Sequence, residues 1–162
     1  MKMKKTYLSA VAVLVCAALV GGIAGTSFYF KEDIVTGPNV TEVFKLSRYN
    51  PNLEGTIGDS DVYVLKGEKE GGSLVVLGST HANEPSGHMA GIILEENAKV
   101  EAGTIYVIPN INNSALTHND PLDGSPQYMH FTTKNGETRT FQYGSRATNP
   151  IDQWPDPDIY TH

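Results

Sequence analysis

One cysteine, Cys16, is all the chain has, and it lies in an apolar segment near the N-terminus. No disulfide can therefore hold the remainder together. Lipid attachment at that cysteine wants a small residue just before it, and Val15 is not one, so Cys16 reads as a small apolar residue of a helix. Charge is missing altogether from Thr6 to Phe30. Basic residues are scarce: twelve Lys and Arg, three of them Lys2, Lys4 and Lys5, stand against eighteen Asp and Glu. That balance argues against a nucleic-acid partner, which wants a basic face. Apolar periodicity is missing from Asn113 onward, where Pro, Gly, Asn and Asp abound. A loop that long is functional or disordered rather than a plain connector.

The uncharged run exceeds the ~20 residues that span a bilayer as a helix. The lysines on its amino side predict a cytoplasmic N-terminus, with everything after Lys31 outside. Phe28-Tyr29-Phe30 would be the interfacial aromatic anchor. The competing reading is a cleaved signal peptide, with the apolar core Tyr7–Val20 and Gly22-Ile23-Ala24 as the cleavage site. The protein is expected in the cell membrane, single-pass with its domain outside the cytoplasm, or secreted after signal-peptide cleavage. Residues 1–30 form the anchor or signal peptide, 31–52 a polar juxtamembrane linker, and 53–162 an α/β domain.

That domain is organised around Ser73 to Asn113. Leu74-Val75-Val76-Leu77 is a short continuous apolar run, as in a strand covered on both faces. Gly78-Ser79-Thr80 breaks it, and Pro85 falls where a helix can begin. The helix carries Met89, Ile92, Ile93 and Leu94 near one face, with Gly87 and Gly91 allowing close packing on the sheet. Thr104 to Ile108 is the next β-rich run and predicts a strand parallel to the first. Upstream, Asp61 to Lys66 alternates as a strand, and Gly67–Gly72 reads as the turn of a hairpin spanning Val62 to Leu77. Downstream, Asn135-Gly136 between two β-prone arms predicts a second hairpin.

The turn after the central run holds His81-Ala82-Asn83-Glu84. An imidazole and a carboxylate three residues apart, outside the carboxyl end of a buried strand, sit where open α/β sheets place ligands. Both groups suit Zn²⁺, which in a catalytic site takes three protein donors and keeps one position open. The helix N-terminus behind the loop favours an anionic group nearby.

GSTHANEPSG, a helix and then IYVIPNINNSA resemble the succinylglutamate desuccinylase/aspartoacylase family, of the zinc carboxypeptidase-like clan. That family shows G-x-H-G-N-E-x-x-G, with the His and Glu as zinc ligands; here Ala82 stands for the usual Gly, and Asn113-Ser114 for Asn-Pro. The resemblance implies a mixed, largely parallel sheet with flanking helices, zinc as cofactor, and His81 and Glu84 as the first two metal ligands. It also implies a substrate-binding arginine in the region folding over the site. Arg146 is the candidate and Arg139 the second choice, since a planar guanidinium can hold both oxygens of a carboxylate.

Three features of the family are not found: an Asn-Arg pair, a third histidine on a later strand, and a later glutamate as general base. The chain therefore reads as the N-terminal part of such a domain, truncated, with its catalytic residue unassigned. His88 lies on the helix and reads as a packing or surface residue; His118 and His130 sit in loops without a partner pattern, and His162 ends the chain. Two functional classes follow. One is a metal-dependent hydrolase cleaving an amide or ester next to a carboxylate, on a small anionic acyl-amino-acid or peptide-like substrate. The other is a non-catalytic exported binding module that keeps only the scaffold.

Overall fold

The computed structural model describes residues 2–27, 32, 34–119 and 126–152. The chain falls into two compact units, Met1–Lys31 and Glu32–His162. The first is one helix, α1 (Lys2–Ser27), with Val11, Val13, Leu14, Leu19 and Val20 all exposed. Among the described residues, no helix is long and apolar enough to cross a membrane. The side chains described in α1 are those of residues 9–21, fewer than the ~20 a span takes. Phe28-Tyr29-Phe30 lie outside the described residues.

The second unit is mixed α/β. In chain order come β1 (Glu42–Lys45), β2 (Asp61–Lys66), β3 (Lys69–Leu77), α2 (Pro85–Asn97), β4 (Ala102–Ile108), β5 (Tyr128–Thr132) and β6 (Thr138–Gln142). The first four strands form one sheet in the order β1-β2-β4-β3, and β5 pairs with β6 in a separate hairpin. β3 and β4 are parallel neighbours joined through α2, as the apolar runs predict. The β1–β2 and β2–β4 pairings are antiparallel, so the described sheet is mixed rather than largely parallel.

The hairpin expected from Val62 to Leu77 does not form, because β4 lies between β2 and β3. The chain leaves β2 at Gly67 and passes around the start of β4, with Gly67 N donating to Gly103 O (2.9 Å) and Lys69 N to Glu101 O (3.3 Å). Gly103 has φ +81°, and a Cβ there would stand 2.2 Å from Gly72 O. The glycines that read as a turn instead let two backbones approach too closely for any side chain.

A second correction concerns β3 itself. Leu74, Val75 and Leu77 are 55%, 58% and 54% exposed, where a strand covered on both faces was expected. Among the described residues β3 pairs only with β4 and forms one edge of the sheet. Leu94 of α2 packs over the middle of the sheet, on the cluster of Tyr63, Leu65 and Val107, and β3 contributes only the partly buried Val76. On the other face Phe44, Val62, Val64 and Ile108 cluster with Leu46, and the Arg48 guanidinium lies 3.9 Å over the Phe44 ring.

The stretch expected as a linker, 31–52, contains β1, and residues 34–40 run along α2. Gly37 N donates to Glu95 Oε2 (3.2 Å), Val35 N to Glu96 Oε1 (3.3 Å), and Asn39 Nδ2 to Ala98 O (3.1 Å). Glu32 accepts from the His88 imidazole and from Gln142 N. Arg139 on β6 reaches Glu96 with both arms of its guanidinium. The side chains of Glu32, Asn39, His88, Glu95, Glu96 and Arg139 thus clamp the N-terminal strap and the β5–β6 hairpin onto α2. The hairpin turn has Gly136 N donating to Thr133 O (3.0 Å) and Gly136 at φ +85°, a type I turn closed by a left-handed glycine.

Glu95 is fully buried with Oε1 unpartnered. Burial pushes its carboxyl above the ordinary value of 4.5, the Gly37 N–H opposes this, and Glu96 adds to it. A raised folded-state pKa means that the neutral acid favours the fold. That contribution is complete below the unfolded value and is lost as pH rises through the raised one. Relative to Glu95→Gln, wild type should therefore lose stability from about pH 4.5 upward, measured as urea midpoints across pH 4 to 8; a constant difference would contradict this. The Arg139–Glu96 pair is better shielded, with side chains 30% and 10% exposed. Arg139→Ala leaves Glu96 without its guanidinium partner and should cost about 2 kcal/mol in denaturant unfolding.

Candidate functional site

The site forms where β3 and β4 end. Gly78 N donates to Ile108 O (2.8 Å) and Ile111 N to Gly78 O (3.1 Å), carrying the pairing one step beyond the strands. A Cβ at Gly78 would stand 2.5 Å from Pro109 O and 2.8 Å from Gly87 O, so the strand exits and the first turn of α2 meet over a residue that must be glycine. Ser79 follows with φ +53°, the one non-glycine residue at positive φ among the described residues, and its Oγ is buried without a partner. Such a conformation costs of order 1–3 kcal/mol and tends to mark functional turns.

His81 and Glu84 close the next turn, Glu84 N donating to His81 O (3.0 Å), and Pro85 opens α2 as the sequence predicts. His81 Nδ1 lies 3.2 Å from Glu84 Oε1, with the two side chains 36% and 57% exposed. Arg146 Nη1 lies 3.7 Å from the same carboxylate oxygen and its side chain is 69% exposed. All three site residues chosen from the sequence therefore meet at one carboxylate.

Backbone, rather than side chains, brings Arg146 there. Ala82 N donates to Ser145 O and Gly144 N to Ala82 O, both at 3.1 Å, so the loop after β6 pairs with the His81–Glu84 turn like a short antiparallel ladder. Ser145 N donates to Ala115 O (2.9 Å), and Ala82, Ala115 and Leu116 bury one another beneath. Asn112 is the hub on the far side. Its Nδ2 donates to Thr80 O (3.4 Å), while its Oδ1 accepts from Ala115 N (3.2 Å) and Thr148 Oγ1 (3.4 Å). The motif stretch flagged Asn112 only as part of a family-like turn. Ser79, Ala82 and Ser145 carry no chemistry-bearing side chain pattern that a sequence reading could find.

Two donors of a tetrahedral zinc at 2.0–2.2 Å stand about 3.3 Å apart, and the His81–Glu84 separation is of that size. It is equally the length of an ordinary hydrogen bond. A catalytic zinc takes three protein donors, and among the described residues no group of three or more His, Cys, Asp or Glu could hold a metal. Arg146 also competes for the Glu84 oxygen. The residues present thus fit two positions of a zinc site and do not fit the whole of one.

The remaining candidates lie apart from this turn. His88 is buried in the strap clamp, with Nε2 on Glu32 and Nδ1 3.4 Å from Pro109 O. His130 stands on β5, not in a loop, with Nδ1 3.0 Å from Thr140 Oγ1. His118 follows the 3-10 turn Asn113–Thr117, and its Nδ1 is buried without a partner. His162 lies outside the described residues. Arg139, the second-choice substrate arginine, is bound to Glu96 in the clamp and belongs to the fold.

Exposed pairs of this kind contribute at most about 1 kcal/mol. His81→Ala, Glu84→Ala and Arg146→Ala should each leave the unfolding midpoint within that margin, whereas Gly78→Ala should cost about 1–3 kcal/mol through overpacking. Equal losses at all four positions, read by thermal or urea unfolding, would make the cluster a structural element.

Comparison with protein-family models, with curated proteins and with solved structures finds no match to this chain. What the site can do is therefore argued from its geometry.

Proposed function

We propose that the chain carries part of a metal-dependent hydrolase centre of the deacylase or carboxypeptidase type, acting on an amide or ester bond next to a carboxylate. One observation carries the reading: Arg146, some sixty residues further along the chain, shares one exposed corner beyond the carboxyl end of β3 with His81 and Glu84. In this reading His81 and Glu84 are two donors to Zn²⁺, and Arg146 binds the carboxylate of a small acyl-amino-acid or peptide-like substrate. Arg146 reaches the corner by a loop whose backbone is fixed at Ala82 and Ala115, so its guanidinium is held near the donors without a buried anchor. The β3–β4 crossover through α2 agrees with the zinc carboxypeptidase-like scaffold that the motif resemblance implies.

The second reading, a non-catalytic exported module, draws on a specific observation too. Among the described residues no third metal donor joins His81 and Glu84, while the exposed Arg146 guanidinium can hold a carboxylate without any metal. In both readings α1 is proposed as a membrane anchor, on the grounds of its uncharged run and the exposure of its apolar side chains. The domain would then face away from the cytoplasm; cleavage of the segment as a signal peptide is the alternative.

Calorimetric titration of the full chain with Zn²⁺ and with N-acetylglutamate separates the readings. The hydrolase reading expects weak zinc binding, micromolar or poorer, abolished by His81→Ala or Glu84→Ala because one of two donors is gone. It also expects N-acetylglutamate binding that Arg146→Ala weakens about tenfold, the loss of one charge-assisted contact. Anion binding with no zinc binding selects the module. No binding of either probe removes both readings.

A further inference from the structure

A cavity unrelated to the His81–Glu84 corner opens at the opposite end of the sheet. It has a volume of about 500 Å³ and is lined by residues 38–41, by Lys66, Glu68 and Lys69 where β2 passes into β3, and by Lys99, Val100 and Glu101 before β4. β3 is nine residues long and begins at this cavity. At ~3.3 Å per residue, the His81–Glu84 turn beyond its other end is roughly 25 Å away. The volume falls within the ~300–1,000 Å³ of small-molecule sites.

Its charge is the reason to single it out. The chain has a formal net charge of −6, yet three ammonium groups and only two carboxylates line this cleft. Ion pairs occupy Lys45, Arg48, Arg139 and Arg146. Among the described residues none forms at Lys66, Lys69 or Lys99. Three exposed ammonium groups without an ion pair among the described residues thus surround one concavity of an acidic protein, where they focus positive potential. The backbone keeps the concavity in place. Asn39 Nδ2 is tied to Ala98 O, Thr41 N donates to Val64 O (2.8 Å), and Lys69 N is bonded to Glu101 O.

We infer that this cleft binds a phosphate-bearing polyanion. Lysine ammoniums are compact point charges that suit phosphate, whereas a planar carboxylate is better met by the arginine fork that this cleft lacks. Glu68 and Glu101 in the same lining favour a ligand that places its charge between the lysines rather than spread over the whole of it. Phosphate of this kind comes either from a soluble di- or triphosphate or from an anionic lipid headgroup.

Lysine protection distinguishes the sources with one readout. The full chain is acylated at low reagent excess in 0.15 M salt, and modification at each lysine is read by peptide mass spectrometry. Lys134, exposed in the β5–β6 turn, is the internal control. Millimolar pyrophosphate should slow modification of Lys66, Lys69 and Lys99 at least fivefold and leave Lys134 unchanged, and Lys99→Gln should weaken the protection of the other two while Lys134→Gln does not. If only phosphatidylcholine vesicles containing phosphatidylglycerol protect the three, relative to phosphatidylcholine alone, the ligand is a headgroup. Protection of none, or of Lys134 equally, overturns the inference.

Discussion

Two backbone hydrogen bonds at Ala82 hold the site together. The His81–Glu84 turn projects from the end of β3, and the pairing of Ala82 with Gly144 and Ser145 joins the loop carrying Arg146 directly to it. Alanine matters at this position because its methyl group is buried against Ala115 and Leu116. A larger side chain would push the two loops apart. The side chains of His81, Glu84 and Arg146 stay exposed while their backbones are fixed from beneath.

A different kind of tie holds the periphery. α2 presents His88, Glu95 and Glu96 to the strap of Glu32 and residues 34–40 and to β6, and each of these polar groups meets a backbone N–H, a carboxylate or a guanidinium there. Tyr63 lies close enough to feel Asp61, Glu95, Glu32 and Glu96, and burial together with that negative field pushes its hydroxyl up to about 12. One carboxylate oxygen in this region, Glu95 Oε1, lacks a partner. The clamp therefore gains orientation from its polar groups and gives up some stability near neutral pH. At the other margin, among the described residues nothing pairs with the outer edge of β3, whose Leu74, Val75 and Leu77 are exposed.

Much of this was legible in the sequence wherever a local signal and the tertiary outcome coincide. Proline at position 85 starts α2, Asn135-Gly136 marks the hairpin, and the two apolar runs become parallel neighbours. The choice of His81, Glu84 and Arg146 needed chemistry and a motif resemblance, and the three do converge. Strand order was not legible. The glycines from Gly67 to Gly72 signal a turn whether the next strand returns beside β2 or passes around β4, and only the close contact at Gly103 decides. Burial of β3 was misread for a related reason. A continuous apolar run states what a strand could bury, while its place in the sheet sets what it does bury. The strap of Glu32 and residues 34–40 escaped notice because its hold on α2 mixes backbone N–H groups with scattered polar side chains, which no periodic pattern records.

The central claim is that one corner of the molecule combines two metal donors with an anion-binding arginine. Paramagnetic Co²⁺, added in substoichiometric amounts to isotope-labelled full chain, reports on it most directly. The account predicts that the His81 ring and the Arg146 guanidinium signals broaden together at the lowest Co²⁺ levels, with His88 and His130 unaffected. Broadening that begins at His118, His130 or the strap clamp, and leaves His81 sharp, would contradict it.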